Sequence, residues 1–76
     1  MEFDNLVDRI CSMDRNKMHE NVRNSLDMIE YYRANRLDYT YDMFSSAHWS
    51  ASINVHDNDE LLNLLWSCMQ VLQYGN

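Results

Sequence analysis

Phe3, Leu6, Val7 and Ile10 stand at the i, i+3, i+4, i+7 spacing that lines one face of an α-helix, with Cys11 beside them. The spacing predicts a short helix over 3–12. A longer helix is expected to start near Asp14, as its N-cap, and to carry the stripe Met18, Val22, Leu26 and Ile29, with Tyr32 extending it. Arg33 and Arg36 fall in its last turn, where cations suit the helix dipole. Asn35 is placed to supply a left-handed exit.

From Leu37 to Val55 the period changes from helical to two. The odd positions read Leu, Tyr, Tyr, Met, Ser, Ala, Trp, Ala, Ile, Val, while the even positions are polar except for Phe44. Alternation of this length, rich in Tyr, Thr, Trp, Ile and Val, marks half-buried strands. It predicts a β-hairpin with strands near 37–44 and 48–56, turned by Ser45, Ser46 and Ala47 without the help of Gly or Asn. Tyr39, Tyr41, Trp49, Ile53 and Val55 would then face the core. The competing reading is a helix over 38–51 that uses Tyr41, Phe44, His48 and Ala51.

A closing helix is expected over 58–73. Asp57 followed three residues later by Glu60 resembles a capping box. Leu61, Leu65, Cys68 and Leu72 share a face that Leu62, Trp66 and Met69 widen. The fold class that follows is α+β: a small single domain, 1–76, of two N-terminal helices, a β-hairpin and a C-terminal helix. An all-α bundle is the alternative. A hairpin needs helices over its apolar face, and its free edges invite another chain or a second copy, so a homodimer is compatible with this fold.

Length and composition narrow the class. Chains of 76 residues bury about 60% of their unfolded surface, which leaves little stability to spare. An apolar fraction of 46% with two Trp, five Tyr, two Phe and six Met suffices for one small core. Gly75 is the only glycine and proline is absent, so no glycine-rich loop exists to hold a phosphate. Apolar runs are too short for a membrane span. The acidic start, Met1-Glu2-Phe3-Asp4, argues against a secretory signal, so Cys11 and Cys68 are expected as free buried thiols in a cytoplasmic protein.

Charge is the most asymmetric property. The net charge is −6, yet all six Lys and Arg lie between Arg9 and Arg36. Leu37 to Asn76 carries Asp38, Asp42, Asp57, Asp59 and Glu60 with no cation. Such a surface repels nucleic acid and attracts basic proteins.

Catalytic chemistry finds little support. His48, Ser50, Ser52 and His56 have no motif that would orient a nucleophile and its base. His48 and His56 would stand roughly 26 Å apart on one strand, too far to share a metal. Cys11, His19 and Cys68 lack ligand spacing, and Asp57, Asp59 and Glu60 read as a helix cap rather than a calcium loop. No catalytic residue, metal or cofactor is expected.

These readings lead to a small acidic, non-enzymatic binding protein that inhibits a basic nucleic-acid-handling protein. The expected contact residues are Asp38, Asp42, Asp57, Asp59 and Glu60, with Tyr39 and Tyr41 adding area. On a strand, Asp38, Thr40 and Asp42 would repeat at about 6.6 Å, near the phosphate spacing of nucleic acid, as in a DNA mimic. At the level of class, on size and charge alone, the chain is similar to small phage inhibitors such as anti-CRISPR and antirestriction proteins. The alternatives are an antitoxin or immunity protein for a basic toxin, or a self-associating structural module.

Overall fold

The computed structural model describes residues 2–16, 18–54 and 59–75. It consists of four α-helices: α1 (Glu2–Cys11), α2 (Glu20–Ala34), α3 (Tyr41–Asn54) and α4 (Asp59–Tyr74). No strand occurs among the described residues. The α+β expectation is overturned, and the chain folds as an all-helical bundle.

The decisive segment is 37–54. Two strands would need a turn at Ser45, Ser46 and Ala47, none of which favours positive φ. Wound as a helix, the same segment places Phe44, Ala47 and Ala51 at i, i+3 and i+7, and all three are fully buried. Phe44 was the one residue out of place in the alternation, and here it is the largest fully buried side chain. Thr40 caps the helix, its hydroxyl accepting from the Met43 amide at 3.4 Å. Alanines at 47 and 51 present little bulk, so α3 can lie close between α2 and α4. Trp49 and Ile53, expected inside, are 65% and 56% exposed.

The other helices form where the periodicity placed them, with corrected ends. In α1 the acids Glu2 and Asp4 occupy the first turn, and Val7 and Ile10 are buried. Helix α2 starts at Glu20 rather than near Asp14. Its N-cap is His19, whose Nδ1 accepts from the Asn21 amide at 3.1 Å. Asp14 instead closes a local turn by accepting from the Asn16 amide at 2.9 Å. At the C-terminus of α2 the left-handed residue is Arg36 (φ 55°), not Asn35 (φ −99°). The Leu37 amide donates to the Tyr32 carbonyl and the Arg36 amide to that of Arg33, which is a Schellman ending. In α4 the buried face is Leu61, Leu64, Leu65, Cys68 and Met69, while Trp66 is 52% exposed. Asp57, the proposed cap of that helix, lies outside the described residues.

Helices α3 and α4 must run antiparallel. Five Cα–Cα steps separate Asn54 from Asp59 and span at most about 18 Å. A parallel pairing would have to return over the length of α3, about 21 Å for 14 residues. Helix α1 completes the bundle by packing on both α2 and α4. Around Phe44 the core is aromatic: the Phe3 ring lies 5.9 Å from it and the Tyr39 ring 5.8 Å.

Candidate functional site

The antiparallel pairing separates the acids expected to act together. Asp38 lies in the connection before α3, and Asp42 in its first turn. Asp59 and Glu60 occupy the first turn of α4, at the opposite end of the helix pair and about 20 Å away. All four are exposed, and Asp57 lies outside the described residues. Because Asp42 is helical, the phosphate-like repeat of Asp38, Thr40 and Asp42 along a strand does not exist.

Three of the arginines engage acids of neighbouring elements. Arg33 of α2 donates to Asp8 of α1 at 2.8 Å. Arg15, in the connection between α1 and α2, pairs with Asp27 and Glu30 of α2 and donates to the Cys11 carbonyl at 3.2 Å. Arg9 stands 3.6 Å from Glu60, with both side chains more than 60% exposed, a geometry of little energetic value. Asp38, Asp42 and Asp59 make no ion pair among the described residues. Arg15 and Arg33 thus fasten the N-terminal half of the bundle, and of the later acids among the described residues only Glu60 has a cation opposite it.

The two tyrosines assigned to the contact surface differ in placement. Tyr39 is half-buried, its ring 5.4 Å from that of Phe3, and burial raises its phenol above the usual value. It serves mainly as a lid on the aromatic core. Tyr41 is 38% exposed at the start of α3.

The residues that the alternation concealed are the exposed apolar ones of α3. Asp42, Ser46, Trp49 and Ile53 follow i, i+4, i+7, i+11 and form a single outward stripe, opposite Phe44, Ala47 and Ala51. Projecting 41–54 on a helical wheel finds this stripe; the two-residue period hides it. To one side lies Trp66 of α4, whose ring is 6.1 Å from that of His48. To the other, Met43 and Ser46 face Ser25 and Met28 of α2 across an open groove of about 340 Å³.

Among the described residues, no group of three or more His, Cys, Asp or Glu is arranged to hold a metal ion. Both cysteines are free. Cys68 is fully buried and its thiol is pushed up to about 12 by burial, which makes it inert as a nucleophile at neutral pH. Cys11 is half-buried and likewise raised by burial. The Ser52 hydroxyl donates to the Trp49 carbonyl at 2.8 Å, a helix-internal bond rather than a link to a base. No described helix is long and apolar enough to cross a membrane. No family model, characterised protein or solved structure matches the chain.

Proposed function

We propose that this chain is a non-enzymatic binding protein that engages a basic, nucleic-acid-handling partner through its carboxylates. One observation carries the reading: Arg15 and Arg33 pair with acids of α1 and α2, while Asp38, Asp42 and Asp59 are exposed and make no ion pair among the described residues, in a segment that has no Lys or Arg of its own. Carboxylates so placed compete with phosphates for Lys and Arg on another protein, and the same field speeds encounter. Because the acids sit at two ends about 20 Å apart, contact is made first through Asp38 and Asp42, with Tyr41 adding area beside them. An inhibitor of the phage anti-defence type would act in this way.

The test is affinity capture from a nuclease-treated lysate of the source cells. Wild type is compared with a variant carrying Asp38→Asn, Asp42→Asn, Asp57→Asn, Asp59→Asn and Glu60→Gln. The expected result is one basic nucleic-acid-handling protein, retained by wild type at low salt, released as salt rises, and absent from the variant. The same protein retained equally by both forms would show that the acids serve only solubility.

A further inference from the structure

The groove between α2 and α3 is the one place where an unpaired carboxylate of this chain adjoins an apolar recess among the described residues. Met28 of α2, 53% exposed, and Met43 of α3 supply its apolar lining. Asn24, Ser25 and Ser46 add an amide and two hydroxyls. A single charged residue lines it: Asp42, in the first turn of α3. Asp42 makes no ion pair among the described residues, so the groove carries one negative charge and no cation. Its volume of about 340 Å³ lies at the lower end of the span for small-ligand pockets, about 300–1,000 Å³. That is room for a side chain and too little for a helix.

The complementary occupant has an alkyl stem for the methionines and a positive head for the carboxylate. Thioether side chains are flexible and polarisable, and they mould to an alkyl chain. Lysine has a four-carbon stem and a compact ammonium with three diverging donors. The other acceptors lining the groove are single oxygens, those of the Asn24 amide and the Ser25 and Ser46 hydroxyls. Separate oxygens suit diverging donors better than they suit the planar fork of arginine. The Ser25 hydroxyl spends its proton on the Asn21 carbonyl at 3.1 Å, which leaves its lone pairs to accept.

We propose that this groove seats a lysine side chain of the basic partner, with its stem against Met28 and Met43 and its ammonium against Asp42. The assignment rests on the function proposed above and adds the position and the type of cation. It also ranks the acids. Asp38 does not line the groove, so Asp42 carries the contact.

The test is a titration of the full chain, labelled at its methionine methyls, with hexylammonium chloride at fixed ionic strength, followed by NMR. The Met28 and Met43 signals are expected to move together and to saturate, while those of Met18 and Met69, buried in the core, stay still. Asp42→Asn weakens binding about fivefold, and Asp38→Asn leaves it unchanged. Hexan-1-ol, which has the stem without the charge, binds more weakly than hexylammonium. Met28→Lys alters an exposed position and supplies the groove with its own ammonium. Read at Met43, it abolishes hexylammonium binding, with helix content in circular dichroism unchanged. No shift at Met28 and Met43, equal binding by Asp42→Asn, or movement of Met18 and Met69 as well would each overturn the proposal. The titration contains no partner protein, so its failure removes the groove and leaves acid-mediated capture to the lysate experiment. There, a partner lost by the five-acid variant yet retained by Met28→Lys would uphold the acidic contact and overturn the groove as its seat.

Discussion

Burial at single positions sets the chemistry that the chain can perform. Cys68 points into the core from α4 and has no exposure, so its ionised form is excluded and its thiol is held at about 12 against an ordinary 9.0. The native state therefore keeps this proton at pH values where the unfolded chain has lost it. The stability linked to it is complete below pH 9 and falls as pH rises towards 12, by up to about 1.4 kcal/mol per pH unit. Tyr39 and Cys11 are raised in the same direction, so comparison with Cys68→Ala isolates the one thiol. Urea unfolding at pH 8 and pH 10.5 should show the advantage of wild type over Cys68→Ala shrinking by about 2 kcal/mol. A gap that stays constant would mean that the thiol is wet in the native state.

At the scale of an element, α3 is where local pattern and tertiary packing compete. Its buried stripe is narrow, consisting of one Phe and two Ala, and its outward stripe contains a Trp and an Ile. Hydrophobicity summed along the segment therefore does not distinguish inside from outside. Ser46 tests the helix directly because it is exposed, and a substitution there disturbs no core contact. Ser46→Pro removes an intrahelical hydrogen bond and should destabilise the fold by about 3 kcal/mol or more, with loss of helix signal in circular dichroism. A loss below about 1 kcal/mol would mean that the Ser46 amide makes no hydrogen bond within α3.

Across the whole molecule the charges fall into two populations. Arg15 is the most enclosed of the paired bases, 21% exposed, and it joins the α1–α2 connection to two acids of α2 and to the C-terminal carbonyl of α1. Arg15→Gln should cost about 1–2 kcal/mol in urea unfolding, because the charge-assisted bonds are lost and two carboxylates are left without a cation. A loss below about 0.5 kcal/mol would place this network with ordinary surface pairs. The second population, Asp38, Asp42 and Asp59, makes no ion pair among the described residues and so contributes its field to solvent and to partners.

Three of the four helices were legible from the order of residues alone. Leu26 and Ile29, or Leu61 and Leu65, recur at helical spacing because one face must be buried, and that requirement is local to each element. The charge asymmetry was legible as well, since it needs only counting. Helix ends were less so, because Arg36 rather than Asn35 takes the left-handed position through hydrogen bonds that form only once the chain has turned. The identity of α3 and the separation of the acids were decided by the tertiary structure. Whether 37–54 winds or extends depends on what Phe44 can pack against, and Phe3 reaches it from the other end of the sequence. The distance between Asp42 and Asp59 depends in turn on a connection too short to permit parallel helices. Contacts between residues far apart in the chain carry that information, and no periodicity within a single segment records it.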